Sequence, residues 1–438
     1  MRPAILAGSA DAPPVGPVRS RVVTPAELAD LVNVDEVVPA YQPIVELETG
    51  EVVAWEALAR WPGRGAPAPD QVFEAARRSG RLVELDWACR SAAIRDALAV
   101  GLRPGQRLFV NVEPDTLGQP GPAPARAIID AARGRLSVVL ELTERQLTHR
   151  PADLLALVGW ARRQGWTIAL DDVGAEPASL ALLPFVDPDV VKLDLGLIQD
   201  QPRAAQAQVM AAVLAHAERT DATILAEGIE TEAHLERALA LGASLGQGWY
   251  FGRPGPLPRP GSEAAPGGDR TIRSTPAAPT AGTPFELVAG RHRLRRAPAS
   301  LLLAISRHIE RQGVTQDPPP VVLGAFQSAE RFTATTGVAY STLARWCPLV
   351  AAFAEDLPVE PAPGVRGGTL APDDSLRREW TVVVLGAHYA GALIARQVGV
   401  DPGPARRFDF VVTHDRDTVV SAARSLLSRI EPVGGHRP

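Results

Sequence analysis

Seven short runs rich in valine, isoleucine and leucine recur between residues 52 and 251, and each ends close to an acid or an amide. Amphipathic stretches with apolar residues at helical spacing, such as 151–165 and 203–220, lie between these runs. Continuous apolar strands that alternate with helices predict a parallel sheet with helices on both faces. Seven or so units of this kind in this length favour a closed (β/α)8 barrel, a TIM-like α/β fold, over an open sheet.

In such a barrel the carboxyl ends of all strands open on one face, so the polar residues at those ends should converge. They are Glu56, Asn111, Glu141, Asp171, Asp172 and Glu227, with Lys192 nearby. Five carboxylates in one pocket repel one another unless cations occupy it, and hard oxygen donors without Cys or His predict Mg²⁺ or Mn²⁺ rather than zinc. Two such ions roughly 3.5–4 Å apart are the known arrangement for in-line phosphodiester hydrolysis. The alternative, that each acid only caps the helix that follows it, remains open for any single residue.

Lysine occurs once in the chain, at position 192, although lysine and arginine together number 45. A chain that uses arginine almost everywhere for positive charge predicts a special task for its one lysine. Arginine stays protonated, whereas a lysine amine can lose its proton when its surroundings lower the pKa, so Lys192 is a candidate for proton transfer or water activation. The alternative is that Lys192 has no special role and remains by chance in a chain whose composition favours arginine.

A break in composition divides the chain. Residues 253–284 contain 8 Pro and 5 Gly, and their apolar residues show no period, which predicts a linker. We therefore expect an N-terminal lead at 1–24, a barrel at 25–258, a linker at 259–284 and a smaller α/β domain at 285–436.

Charge and cysteine content limit the partners and the compartment. The net charge of −5 gives no sequence-wide basic field, so we expect neither nucleic acid nor a membrane as a partner. Cys89 and Cys347 are far apart and suit a reducing cytoplasm. The apolar stretch 380–395 is shorter than the ~20 residues of a spanning helix and is predicted to be a buried strand that runs into a helix. The first twelve residues lack the core of a signal peptide, so we expect a cytoplasmic protein.

Eight blocks in the first region resemble a known family. WEALAR at 55–60, preceded by YQPIV at 41–45, is similar to the signature of the EAL domain, the cyclic di-GMP phosphodiesterase family. The other blocks follow in the family's order: FVNVEP at 109–114, LELTE at 140–144, LDDVG at 170–174, VVKLD at 190–194, AEGIET at 226–231 and QGWYFGRP at 247–254. The resemblance covers about residues 25–258. It implies hydrolysis of cyclic di-GMP to linear pGpG in bacterial second-messenger signalling, by a homodimer.

The resemblance also implies a role for each matching residue. The metal ligands would be Glu56, Asn111, Glu141, Asp171 and Asp172. The catalytic group would comprise Lys192 on the nucleophilic water, Asp194 to orient it, Glu227 at the second metal or its water, and Gln247 near the water or the phosphate. The substrate contacts would be Gln42 and Leu58 at the nucleotide and Arg60 at the phosphate, with Glu144 and Glu230 holding the loop after the aspartate pair. An equally open interpretation is that Glu144 and Glu230 only anchor the loop and take no direct part in the chemistry.

One block departs from the family's pattern. Active members read D-D-F-G-x-G-x-S-S after the fifth strand, whereas this chain has Glu176 and Pro177 in that loop. A backbone position suited to glycine is therefore constrained differently. We expect activity to be reduced or differently regulated. The competing hypothesis is a catalytically weak or inactive cyclic di-GMP receptor or scaffold.

The C-terminal region carries a second resemblance. VLGAFQ at 322–327, VVVLGAHY at 382–389 and FVVTHD at 410–415 are similar to the DICT domain, a small α/β module regarded as sensory and found beside cyclic di-GMP enzymes. The resemblance implies that this domain receives an unidentified ligand or signal and regulates the barrel.

Overall fold

The computed structural model describes residues 23–63, 66–102, 105–143, 150–175, 180–181, 183–200, 204–259, 272, 275, 282–399 and 406–430. Within these residues the chain forms a closed eight-stranded barrel followed by a domain with a seven-stranded sheet. None of the helices in this part of the chain is long and apolar enough to cross a membrane.

The barrel strands follow one another in chain order around the closed sheet. They are β1 (Val38–Glu46), β2 (Val52–Arg60), β3 (Arg107–Asn111), β4 (Ser137–Thr143), β5 (Thr167–Val173), β6 (Val190–Leu193), β7 (Thr223–Ala226) and β8 (Leu245–Gln247). The seven apolar runs of the sequence are β2 to β8, and the TIM-like α/β fold is confirmed.

The first strand corrects the expectation of an all-parallel sheet. β1 runs antiparallel to both of its neighbours, β2 and β8, whereas the other neighbouring pairs are parallel. Only residues 47–51 separate β1 from β2. A parallel return needs a crossover of about a dozen residues or more, so this short connection can form only a hairpin.

Helices cover the outside of the barrel. They are α1 (Pro25–Leu31), α2 (Pro69–Arg78), α3 (Leu82–Val100), α4 (Ala123–Ala132), α5 (Pro151–Arg163), α6 (Leu183–Val186), α7 (Leu195–Gln199), α8 (Ala204–Thr220) and α9 (Glu232–Ala240). The amphipathic stretches identified in the sequence form α5 and α8. Leu154, Val158 and Ala161 recur at helical spacing and bury one face of α5.

A layer of apolar side chains fills the barrel interior, one from each strand: Ile44, Ala54, Phe109, Val139, Ala169, Val190, Leu225 and Leu245. Ile272 of the linker joins this layer and is 6% exposed. Its carbonyl accepts a hydrogen bond of 2.6 Å from Arg107 Nη2, and Thr275 N donates to Asp189 Oδ1 at 2.7 Å. The linker is therefore fastened to the barrel, at the end opposite the polar residues, although its composition shows no apolar period.

The second domain is built on a twisted sheet in the order β12-β11-β10-β13-β14-β15-β9. Its strands are β9 (Arg295–Pro298), β10 (Val321–Ser328), β11 (Val350–Glu355), β12 (Arg366–Thr369), β13 (Glu379–Leu385), β14 (Ala390–Val398) and β15 (Arg407–Thr413), and its helices are α10 (Pro284–Val288), α11 (Ala299–Arg311), α12 (Ala334–Leu343) and α13 (Arg416–Leu427). α10 and α13 cover one face of the sheet, and α11 and α12 cover the other.

The stretch 380–395 is not a strand that runs into a helix. It contains most of β13, a four-residue turn at 386–389 and the first part of β14, which pair antiparallel. Val382 packs with α11 and α12, and Val383 packs with α10 and α13. Because helices cover both faces of the sheet, residues 382–385 of the strand are apolar without alternation, and such a run cannot be distinguished from a buried helix by periodicity alone.

The two domains touch through α13 and α6. Arg424 of α13 donates from Nε to the carbonyl of Phe185 at 2.9 Å and from Nη2 to that of Pro184 at 3.2 Å. Gln208 of α8 also donates to the Asp317 carboxylate, and Ala387 packs with the apolar cluster that covers this side of the barrel. The contact therefore combines backbone capping by a partly buried arginine with a small apolar surface.

Candidate active site

The strand ends bring most of the polar residues identified in the sequence to one end of the barrel. Asn111, Glu141, Asp171, Lys192 and Gln247 lie at or near the carboxyl ends of their strands, and Glu227 directly follows β7. Glu56 lies in β2, opposite Gln42 of the antiparallel β1. A cavity of about 410 Å³ opens among these residues.

Lys192 lies at the centre of an ion-pair cluster. Its ammonium nitrogen is 2.6 Å from Glu141 Oε1, 2.9 Å from Asp171 Oδ1 and 2.7 Å from Glu227 Oε1. The lysine is 1% exposed. A buried cation of this kind is stable only because carboxylates surround it on several sides.

Burial and neighbouring charges shift the pKa values of this cluster strongly. Burial favours the neutral amine of Lys192, but the surrounding carboxylates outweigh it and raise its pKa well above the usual range. Burial also raises the pKa of Glu141 well above its ordinary value and that of Glu227 to about 8, because both carboxylates are removed from water beside other acids. Lys192 is thus protonated in this arrangement, and one cation does not balance the acids around it.

A chain of hydrogen bonds orients the residues beside the lysine cluster. Glu56 accepts from Asn111 Nδ2 at 3.1 Å through Oε1 and from Gln247 Nε2 at 2.5 Å through Oε2. Gln247 Nε2 also donates to Gln42 Oε1 at 3.2 Å. Gly248 permits the chain to turn here, because it has a φ of +153° and a Cβ would lie 2.1 Å from the Ile229 carbonyl oxygen. The amide of Gln247 is therefore held at the rim of the carboxylate cluster.

The donor set fits a divalent cation. Asp171, Asp172 and Glu227 each offer an oxygen within 4.8 Å of the others. Glu141 Oε2 and Gln247 Oε1 are buried without a hydrogen-bond donor among the described residues. Buried oxygen atoms without donors are costly unless another group binds them, and oxygen ligands suit Mg²⁺ or Mn²⁺.

The remaining residues from the sequence prediction lie around these groups. Gln42, Leu58 and Glu230 line the 410 Å³ cavity. Arg60 lines a second cavity of about 280 Å³, which also includes Asn111 and shares Leu58 with the first. Both cavities therefore meet at Leu58.

Asp194 stands apart from this arrangement. Its Oδ1 caps α7 by accepting from Gly196 N at 2.8 Å, and within the described residues it makes no hydrogen bond to Lys192. The structure therefore gives it a helix-capping contact, while the orienting role stays a prediction. Glu144, Glu176 and Pro177 lie outside the described residues.

An exposed aromatic residue that the sequence reasoning did not single out lies at the cavity rim. Trp249 lines the 410 Å³ cavity and is 54% exposed, and the guanidinium of Arg253 lies over its ring, 4.0 Å from the centroid. The available signal was its position two residues after Gln247 in the last motif block. An apolar ring beside a polar cavity indicates a stacking surface for a flat ligand.

Comparison with known families gives a match for each of the two domains. The model of the EAL domain matches residues 26–254, more than half of the chain, and that of the "Sensory domain in DIguanylate Cyclases and Two-component system" (DICT) matches residues 288–397. The chain is 32% identical over 245 residues to the cyclic di-GMP phosphodiesterase NbdA of Pseudomonas aeruginosa, covering 53% of this chain and 30% of NbdA.

Two further similarities concern the same region. The cyclic di-GMP phosphodiesterase RocR of Pseudomonas aeruginosa is 32% identical over 254 residues, which covers 52% of this chain and 62% of RocR. Both curated relatives therefore extend well beyond the part they share with this chain. The solved PaMucR phosphodiesterase in complex with c-di-GMP is 27% identical to this chain, and the match covers 53% of this chain and 96% of the solved one, with a TM-score of 0.46.

Proposed function

The chain belongs to the EAL domain family, and from that premise we propose that its barrel hydrolyses cyclic di-GMP to linear pGpG with the help of Mg²⁺ or Mn²⁺. The observation that carries this proposal is the cluster of carboxylates around Lys192, in which Glu141 keeps a buried oxygen without a donor among the described residues. A cluster of acids with a single cation is poorly suited to a purely structural role, because the acids repel one another.

The metal ligands in this proposal are the five oxygen donors named from the sequence: Glu56, Asn111, Glu141, Asp171 and Asp172. Glu227 supports a second ion, since its carboxylate lies with the aspartate pair. A bound divalent cation supplies Lewis acidity at the phosphate and lowers the pKa of a coordinated water. The backbone at Asp172, with a φ of +57°, turns its carboxylate to the same side as that of Asp171.

Lys192 holds and moves the proton of the attacking water in this proposal. The carboxylates around Lys192 raise its pKa, and a cation held by Glu141 and Asp171 would offset part of their charge. The amine would then be able to accept a proton from the water. Gln247 contributes an amide oxygen that has no donor among the described residues and can accept a hydrogen bond from the same water.

The two cavities that meet at Leu58 suit a ligand with two bases on either side of a phosphate ring. Trp249 offers a ring for one guanine in the larger cavity, and Gln42 lies near the same end. Arg60 lines the smaller cavity and brings a guanidinium to a phosphate. A single mononucleotide would use only one of these cavities.

Replacing Trp249 with alanine is expected to weaken substrate binding by about 5- to 150-fold, because base stacking contributes about 1–3 kcal/mol. KM should rise while kcat changes little, since the ring does not touch the reacting atoms. Trp346→Ala is the matched control, because Trp346 is similarly exposed in the second domain. Equal KM values for the parent and Trp249→Ala would contradict the stacking role.

The direct test of the proposed function is turnover of cyclic di-GMP by the purified full chain with Mg²⁺ or Mn²⁺, with the product identified as pGpG by mass spectrometry. Tight binding without turnover would contradict the phosphodiesterase hypothesis and favour a cyclic di-GMP receptor, the interpretation that the altered sequence at Glu176 and Pro177 leaves open. If the chain neither binds nor hydrolyses cyclic di-GMP, both hypotheses are wrong.

We further propose that the second domain regulates the barrel through the contact between α13 and α6. α6 follows the loop that begins at the aspartate pair, and Arg424 caps its backbone at Pro184 and Phe185. Burial lowers the pKa of Arg424, which reflects its enclosure between the domains. A change in the position of α13 is therefore transmitted to the chain segment that holds Asp171.

Replacing Arg424 with glutamine is expected to lower kcat several-fold, because α6 loses its anchor and is no longer held in place relative to β5 and Asp171. Arg311→Gln on the exposed surface of α11 serves as the control. Turnover is compared in the full chain, together with the melting temperature. A kcat equal to that of the parent would show that this contact does not carry regulation.

The remaining proposals concern organisation. We place the lead at 1–24, the barrel at 25–258, the linker at 259–284 and the second domain at 285–436, which agrees with matches to residues 26–254 and 288–397. We also propose a homodimer in the cytoplasm. Sedimentation of the purified chain measures the oligomeric state, and fractionation of cells measures the location.

A further inference from the structure

A cavity of about 550 Å³ lies in the second domain, between α11, α12 and the sheet. It is on the face of the sheet opposite α13, so it is separate from the contact with the barrel. Its volume falls within the ~300–1,000 Å³ typical of sites for small organic ligands.

Aromatic side chains form the inner wall of this cavity. Phe326 and Trp380 line it, and the Phe326 ring makes edge-on contacts with Phe332 and Tyr340 at centroid distances of 5.3 Å and 5.5 Å. These rings hold one another in place, so the wall is formed before any ligand binds. A wall of this kind favours a flat, apolar ligand body.

A single acid lies at the inner end. Glu310 Oε1 accepts hydrogen bonds from Ser306 Oγ and Tyr340 Oη, both at 3.1 Å. Within the described residues, Glu310 Oε2 receives no hydrogen bond, and burial raises the pKa of this carboxyl. This second oxygen can therefore accept a hydrogen bond from a ligand hydroxyl or amino group, or donate a hydrogen bond if the carboxyl group is protonated.

The outer end carries positive charge that no acid balances. Arg331 and Arg406 line the cavity, and in the described part of the chain neither has a carboxylate within 4.0 Å. Arg406 donates to Gln327 Oε1 at 3.1 Å. Burial lowers the pKa of Arg406, and the nearby positive charge of Arg331 lowers it further, because like charges repel. An anion at this position would relieve the repulsion.

We propose that this cavity binds a small aromatic acid, with its flat body against Phe326 and Trp380 and its anionic group at Arg331 and Arg406. A hydroxyl or amino group on the far side of the ring would meet Glu310. The site is independent of the proposed phosphodiesterase activity, since none of these residues belongs to the barrel.

The cavity also has a route to the rest of the chain. Trp380 in its wall is adjacent to Glu379, which is fully buried on the other face of the sheet and accepts from Phe285 N at 2.9 Å and from Arg396 Nη2 at 2.8 Å. Glu379 also accepts from Thr283, the residue that caps α10 where the linker ends. A ligand that moves Trp380 therefore acts on the junction between the linker and the second domain.

The test is a fluorescence titration of the full chain with 1-anilinonaphthalene-8-sulfonate and with N-phenyl-1-naphthylamine, which has the same rings but no sulfonate. The sulfonate is expected to bind about 10-fold or more tightly than the uncharged probe, because a hydrogen bond to a charged group contributes about 1.5–3 kcal/mol. Equal affinities for the two probes would overturn the assignment of the anion site.

Two variants locate the binding. Ala339→Phe fills the cavity from α12 and should abolish sulfonate binding, whereas Val338→Phe, on the same helix but 70% exposed and outside the cavity, should not. Arg331→Gln should weaken the sulfonate and leave the uncharged probe unchanged, with the exposed Arg345→Gln as its control. Sulfonate binding that survives Ala339→Phe would overturn the proposal. If the chain binds the sulfonate as described but does not hydrolyse cyclic di-GMP, the ligand site is supported and only the proposed phosphodiesterase function is wrong.

Discussion

Replacing Lys192 with arginine is expected to lower the rate of cyclic di-GMP hydrolysis by about 10²–10⁴-fold, the usual contribution of a positioned proton-transfer group. The guanidinium keeps the positive charge but cannot accept a proton, and it is too large for a site where the ammonium lies within 2.9 Å of three carboxylates. The rate is measured in the full chain under saturating metal and substrate.

Two further measurements separate loss of chemistry from loss of structure in Lys192→Arg. Calorimetry in Ca²⁺, used to suppress turnover, should give a cyclic di-GMP affinity close to that of the parent, because the proposed ligand contacts at Trp249 and Arg60 remain. The melting temperature should show that the barrel is folded. A rate close to that of the parent would leave Lys192 as an electrostatic contact rather than a proton acceptor.

Removing either Glu56 or Asp171 as alanine variants is expected to abolish hydrolysis within detection. Glu56 orients Asn111 and Gln247, and Asp171 pairs with Lys192, so each change removes a proposed metal ligand and releases its neighbours. Titration with Mn²⁺ in the absence of substrate should show weaker metal binding in both variants. Glu48→Ala, in the exposed turn between β1 and β2, is the matched control.

The same account predicts how metals act on the parent chain. Excess EDTA should stop turnover, and Mg²⁺ or Mn²⁺ should restore it. Ca²⁺ should substitute poorly because its bonds are longer and its geometry is looser. Full activity in excess EDTA, or in Glu56→Ala, would rule out the metal-dependent mechanism.

The sequence predicts much of the barrel and of its polar end because both depend on local patterns. Apolar runs that end close to an acid or an amide mark β2 to β8, and strand ends in a barrel share one face, so Glu141 and Asp171 can be placed together from the sequence. The single lysine is detectable from composition. The exact partners of Lys192 are not, since they depend on how far each strand extends around the barrel.

Other features depend on information that no local pattern carries. The direction of β1 is decided by the short connection at 47–51, and the hairpin of β13 and β14 is hidden because both faces of the sheet are covered. Asp194 satisfies the backbone of α7, a capping contact that a motif cannot distinguish from chemistry. Trp249 can be identified as a candidate stacking residue only once the cavity beside it is known. The contact of Arg424 with α6 joins residues far apart in the chain, so no local pattern predicts it.

The fastening of the linker at Ile272 and Thr275 determines how far the two domains can separate. The second domain is anchored from Thr283 onward, so it is eight residue steps along the chain from Thr275, with a maximum reach of about 26–29 Å. A tether this short gives an effective concentration in the millimolar range, at which an interface worth only ~4 kcal/mol is closed about half of the time. The contact between Arg424 and α6 can therefore be weak enough to open in response to a ligand, yet re-form each time without a search through solution.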